Sequence, residues 1–167
     1  MVPLSELFLY EAARAQHVEE VVKPLLKKGV VVLCDRFYDA TIAYQGYGRN
    51  IRLALIKRLN HLSSQGIKPD VTFLLDCPSG VGLKRAIQRN QISKKRKEDR
   101  FEREKAQFHH RVRRGYLSIA KEEPSRMKVI DTREGEEKVF EKIRKIVDHL
   151  IGVKGSRVRG VKSSAQS

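Results

Sequence analysis

With 167 residues, 40% of them apolar and 33% charged, the chain suits one domain with a real core. No apolar run approaches the roughly 18 residues of a membrane span, and no secretory signal pattern opens the sequence, so a cytoplasmic, non-membrane protein is expected. The formal charge of +15 invites a polyanion, either nucleic acid or nucleotide phosphates.

Leu4, Leu7, Phe8, Val18, Val21, Val22, Leu25 and Leu26 recur at helical spacing and predict a helix over residues 4–28. Pro24 should bend or break it, and Gly29 stands where a glycine stops a helix. Val30, Val31, Val32 and Leu33 form a β-branched run that predicts a parallel strand over 30–34, buried on both faces. A loop or short helix covers 39–48. Asn50 is placed to cap a helix over 51–65, with Ile51, Leu55, Ile56, Leu59 and Leu62 on one face. Lys68-Pro69-Asp70 is a turn into a second strand, 71–76, and Pro78-Ser79 opens a helix to about Arg89. A polar run at 90–99 precedes a helix over 101–122, a third strand over 127–131 and an amphipathic helix over 135–151. Cys34 and Cys77 each end an apolar run and read as two buried thiols. The Gly/Ser/Lys/Arg-rich tail 152–167 has no apolar face and is expected to be disordered.

Helices alternating with strands predict an α/β fold with a parallel, doubly wound sheet. In such sheets ligands bind beyond the carboxyl ends of the strands, where Asp35 and Arg36 stand after the first strand. Aspartate is a hard oxygen ligand for Mg2+ or its water shell, and arginine offers a fork of donors to phosphate. A surface ion pair closing the strand would leave the same two letters. Several signals are absent. The sequence has no G-x-x-x-x-G-K-[ST], no G-x-G-x-x-G, no G-x-S-x-G and no His/Cys metal spacing. His109 and His110 are adjacent on a helix and read as surface or packing residues. Three strands are also few for this class, so the first βαβ portion is expected to be missing.

Four stretches then carry a family resemblance. They are Leu9-Tyr10-Glu11-Ala12-Ala13-Arg14; Asp35-Arg36-Phe37 with Thr41-Ile42-Ala43-Tyr44-Gln45-Gly46; Lys68-Pro69-Asp70 with Asp76-Cys77-Pro78 and Leu83-Lys84-Arg85; and Asp99-Arg100-Phe101-Glu102 with Phe108, Arg111, Val112 and Tyr116-Leu117. In this order and spacing the chain resembles the thymidylate kinases, P-loop nucleoside monophosphate kinases. The resemblance implies a P-loop-NTPase-like three-layer α/β/α fold over residues 1–151, incomplete at its first βαβ portion, with a lid at about 89–100 and the tail 152–167 beyond it.

It also implies roles. Tyr10 matches the aromatic residue that stacks on thymine, and Arg14, one turn on, matches the residue that hydrogen-bonds the base. Arg36 matches the arginine on the monophosphate, and Asp35 the acid beside the magnesium water shell. Thr41, Tyr44 and Gln45 match the loop closing over the nucleoside, although Ala40 replaces the usual serine. Arg89 and Arg100 match catalytic lid arginines, with Arg85 and Arg96 on the ATP side. The implied partners are dTMP and ATP with Mg2+, the product is dTDP, and a homodimer is admitted. Without a P-loop the polypeptide as given is expected to be an N-terminally truncated enzyme that keeps the dTMP side and lacks ATP turnover. A basic nucleic-acid-binding module and a non-catalytic fragment are the alternatives from other classes.

Overall fold

In the computed structural model, which describes the backbone of residues 1–77 and 99–152 and the side chains of 1–77 and 106–152, the expected first helix comes in three pieces. Helix α1 (Pro3–His17) starts with proline in its first turn, where a missing N–H costs nothing. It widens into a π-helical turn, Val18–Val22, and resumes as α2 (Lys23–Lys27). The widening falls just ahead of Pro24, whose ring needs room against the carbonyl four residues back. Gly29, at φ +72°, ends the helix, its N–H donating to the Leu26 carbonyl at 2.9 Å. The buried seam is Leu7, Glu11, Val18 and Val22, while Leu4, Phe8, Val21 and Leu26 are exposed. A charged residue therefore sits in the middle of the seam.

The strand expected over 30–34 is not formed. Val31 and Leu33 are 70% and 93% exposed, and no ladder hydrogen bonds hold the segment. A β-branched run becomes a strand only where a neighbour completes its ladder, and none does so among the described residues. Cys34 shares that segment, so it is exposed rather than buried, and Cys77 is half-buried. Where a loop or short helix was expected, α3 (Tyr38–Thr41) runs on into a second π-helical stretch, Ile42–Gly48. Helix α4 (Leu53–Ser63) follows. Asn50 does not cap it: at φ +59° it belongs to the preceding turn. The buried positions of α4 are Ile56, Asn60 and Ser63, whereas Leu55 and Leu62 are exposed. Ile51 and Leu59 pack against the core beside Ile56, so three of the five residues of the expected apolar face meet the core.

Strands β1 (Thr72–Asp76) and β2 (Met127–Asp131) pair in parallel from Thr72↔Met127 to Asp76↔Asp131. Helix α5 (Asp99–Glu122) precedes β2, and α6 (Glu136–Leu150) follows it after a single 3-10 turn. Leu7, Tyr38, Ile42, Ile56, Ile119, Ala120 and Met127 form one core cluster that joins α1, α3, α4, α5 and β2. Helix α5 lies close against the 42–48 stretch because two glycines permit it. A Cβ on Gly48 would stand 2.6 Å from Phe108, and one on Gly115 would stand 2.7 Å from the Tyr47 ring. The helix expected from Pro78 to Arg89, most of the lid and nearly all of the tail lie outside the described residues. No helix among the described residues is long and apolar enough to cross a membrane.

Candidate functional site

Asp35 and Arg36 stand at the turn between the unpaired segment and α3. Arg36 has φ +63°, a left-handed backbone that costs a non-glycine residue about 1–2 kcal/mol. Its guanidinium lies 5.4 Å above the Tyr44 ring. Tyr44 in turn meets Phe108 and Tyr116 of α5 edge-on, at 6.1 and 6.3 Å between ring centres. A three-ring aromatic wall thus stands behind one arginine. Burial pushes the Tyr116 hydroxyl up to about 12, with Arg36 pulling the other way.

On the other side, α1 supplies Arg14, whose side chain is only 9% exposed. Its Nη1 donates to Glu11 Oε2 at 2.7 Å, Asn60 Oδ1 at 2.9 Å and Ser63 Oγ at 3.3 Å. Its Nη2 donates to Thr41 Oγ1 at 2.5 Å. Ser63 Oγ also donates to Glu11, and Asn60 Nδ2 donates to the Tyr38 carbonyl at 3.2 Å. Arg14 further lies 5.7 Å from the Phe37 ring centre. Helices α1, α3 and α4 therefore converge on one guanidinium.

Two more ion pairs fix the frame. Arg126 grips Asp39 with two bonds, 2.7 Å to Oδ2 and 2.9 Å to Oδ1, and also donates to Thr72 Oγ1 at 2.8 Å. Burial works against the Arg126 charge, but hydrogen bonds to Asp39 and Glu123 outweigh it and hold the guanidinium above its ordinary pKa. At the carboxyl end of β1, Arg113 holds Asp76 with two 2.7 Å bonds. Gln45 Nε2 donates to Glu6 Oε1 at 2.7 Å, which ties the second π-helical stretch to α1.

The structure thus brings Arg14 to Thr41, Arg36 to Tyr44 and Gln45 to Glu6. Asp35 is exposed beside Arg36. Tyr10 shares its side of α1 with Arg14 but is 56% exposed and makes no ring contact among the described residues. Arg85, Arg89 and Arg96 lie outside the described residues, and Arg100 is placed by its backbone alone, in the first turn of α5. Glu11, Asp39, Asn60, Ser63 and Arg126 were not singled out from the sequence. The signal that could have found three of them is polar letters at helical spacing within apolar seams: Glu11 in α1, and Asn60 and Ser63 after Ile56 in α4. No group of three or more His, Cys, Asp or Glu among the described residues could hold a metal ion. Arg36, exposed in front of the aromatic wall, can present guanidinium donors to an anion.

The model of the family described as thymidylate kinase matches residues 1–143. A thymidylate kinase of Geobacter sulfurreducens is 57% identical over 137 residues, covering 82% of this chain and 64% of its own length. One from Geotalea uraniireducens is 56% identical over 135 residues, covering 81% of this chain and 63% of its own length. The crystal structure of thymidylate kinase from Ehrlichia chaffeensis is similar with a TM-score of 0.65 at 33% identity, covering 88% of this chain and 65% of that one. The chain thus spans just under two thirds of the length of these relatives. The fold is of the P-loop-NTPase-like α/β class.

Proposed function

This chain belongs to the thymidylate kinase family, and from that premise we propose that it forms the acceptor side of an ATP-dependent kinase converting dTMP to dTDP. The observation that carries this reading is the pairing of two arginines with different surroundings. Arg36 is backed by an aromatic wall and Arg14 is held within a polar cage, and residues 36–41 link them. One suits the phosphate end of a nucleotide and the other its base.

In this reading Arg36 holds the monophosphate through charge-assisted hydrogen bonds. Arg14 donates to the base, and Tyr10, exposed one turn away, stacks on it, a contact worth about 1–3 kcal/mol. Thr41, Tyr44 and Gln45 line the nucleoside, with Thr41 and Gln45 already fixed by Arg14 and Glu6. The acceptor phosphate oxygen attacks the γ-phosphorus of ATP in line, and lid arginines drawn from Arg85, Arg89, Arg96 and Arg100 balance the developing charge. Mg2+ fits as a companion of ATP: Asp35 offers one carboxylate, enough to meet the ion's water shell and too few to cage it. The ion when bound neutralises phosphate charge. Residues 1–151 form the kinase portion, 89–100 its lid and 152–167 a basic tail, in a cytoplasmic enzyme that can pair as a homodimer.

The 167 residues hold no G-x-x-x-x-G-K-[ST], so this polypeptide alone is expected to bind dTMP without forming dTDP at kinase rates. Calorimetric titration with dTMP, and melting with and without it, test the reading. A ligand that binds the native state must raise the melting temperature. Arg36→Gly should abolish the effect without lowering stability much, because relief of about 1–2 kcal/mol of left-handed strain offsets a cation–π contact of about 0.5–1 kcal/mol. No response to dTMP, together with DNA binding that falls steeply with salt, would instead support a nucleic-acid module.

A further inference from the structure

Asp39 and Arg126 lie apart from the exposed Arg36, yet they hold the element that carries it. Helix α3 runs directly into the second π-helical stretch. Arg36 stands just ahead of α3, and Tyr44, the ring behind Arg36, belongs to that stretch. The orientation of α3 therefore sets both members of the pair. Arg36 keeps a left-handed backbone, φ +63°, and a non-glycine residue stays so only where its surroundings over-determine it. Its own contact with the Tyr44 ring is a cation–π one, which prescribes no hydrogen-bond direction. The determination comes from the residues that follow. Arg126 takes Asp39 with two bonds, lies 5.5 Å from the Tyr38 ring centre and reaches Thr72 Oγ1 at 2.8 Å. The Thr72 N–H donates to the Arg126 carbonyl at 3.0 Å, so this arginine is anchored where both strands begin. Tyr38 packs on Phe37 with ring centres 5.1 Å apart, which carries the hold to the residue next to Arg36. Both Asp39 and Arg126 are buried, and neither is open to a ligand. A buried ion pair adds little net stability over an apolar pair, so its place here calls for another task.

We infer that Arg126, acting through Asp39, is a positioning residue for Arg36: the buried pair fixes α3 against the sheet and so aims the Arg36 guanidinium at the phosphate of the acceptor nucleotide. The inference rests on the acceptor-site reading above. Its signature is confined to the phosphate. Arg14 holds Thr41 from the α1 side, independently of Arg126, so the nucleoside end keeps its own support. A guanidinium that is misaimed loses charge-assisted hydrogen bonds to phosphate oxygens, because its fork of donors is rigid and its geometry decides the contact.

The test compares dTMP with thymidine, the same ligand without its phosphate, by calorimetric titration and displacement on the full chain. The variants are Arg126→Met/Asp39→Leu, where an apolar pair replaces the ionic one and the fold should stand, and Arg126→Lys. The second keeps the charge without the two-pronged hold, so it reads out the same role if the double variant fails to fold. The wild-type chain should bind dTMP more tightly than thymidine. In the double variant dTMP should weaken roughly tenfold, the worth of one charge-assisted hydrogen bond, while thymidine changes less than about twofold. Arg126→Lys should lower the dTMP-to-thymidine ratio by about threefold. An unchanged ratio in the variants that fold, whether both ligands weaken alike or neither does, would make the pair merely structural and overturn the inference, leaving the acceptor site standing. If the wild-type chain binds no dTMP, or binds it no better than thymidine, the acceptor-site reading falls and this role falls with it.

Discussion

Removal of Arg126 should unfold this protein more readily than any surface change. The Asp39 and Arg126 side chains are 5% and 8% exposed, and two hydrogen bonds of 2.9 Å or less join them. Arg126→Ala strands the Asp39 carboxylate in the core. Breaking a buried pair in this way costs about 3–5 kcal/mol. The arginine also sits 5.5 Å from the Tyr38 ring centre, a cation–π contact of about 0.5–2 kcal/mol. Little offsets these losses. Glu123, a second carboxylate partner of Arg126, has a side chain already 39% exposed, and Thr72 Oγ1 reaches Asp39 only at 3.4 Å. A loss near 4 kcal/mol is therefore expected, or roughly 8–16 °C of melting temperature for a domain of this size. Urea unfolding followed by circular dichroism, on wild type, Arg126→Ala, Arg126→Met, Asp39→Leu and the Arg126→Met/Asp39→Leu double variant, measures the loss and the coupling. Each single change should be severe, and the double should recover most of the loss, because an apolar pair can replace a buried ionic one. A loss below about 1 kcal/mol for Arg126→Ala, or single effects that simply add, would refute the reasoning. The consequence reaches the site, since Asp39 lies on α3 two residues from Thr41.

Two further outcomes follow from the same packing. Gly115→Ala places a methyl group 2.7–3.0 Å from three atoms of Tyr47; overpacking of about 1–3 kcal/mol, less up to about 1 kcal/mol of helix propensity, should lower the melting temperature by several degrees. Stability should hold up to pH 10 and decline between pH 10 and about 12, because burial above all raises both Tyr38 and Tyr116 from 10.0 to about 12. The sign follows from linkage: the fold favours the protonated phenols, so its advantage is complete below the unfolded value and vanishes as pH climbs through the folded one. Urea midpoints measured across that range check it, and Tyr116→Phe should flatten the decline.

How far the fold could be read from the letters depends on where each element finds its partners. The helices expected over 101–122 and 135–151 and the strand over 127–131 appear within a residue or two of those bounds, because periodicity and turn residues mark them locally. The run 30–34 carries an equally strong local signal and is no strand, because a strand is a property of pairs. The site divides the same way. The spacing of Tyr10 and Arg14 puts both on one side of α1, and both do lie there at different depths. Asp35-Arg36 and Thr41–Gly46 are local enough to stand out. Part of what holds Arg14 comes instead from Asn60 and Ser63, 46 and 49 residues away, and Arg126 is 87 residues from Asp39. No window of sequence contains such pairs. They leave a trace all the same. In α4 the leucines at 55 and 62 face outward while Asn60 and Ser63 face inward with Ile56. A helix that exposes leucine in order to bury asparagine spends apolar burial worth about 1.5–3 kcal/mol per side chain. Such a reversal persists where a polar partner waits inside, and here that partner is the guanidinium of Arg14.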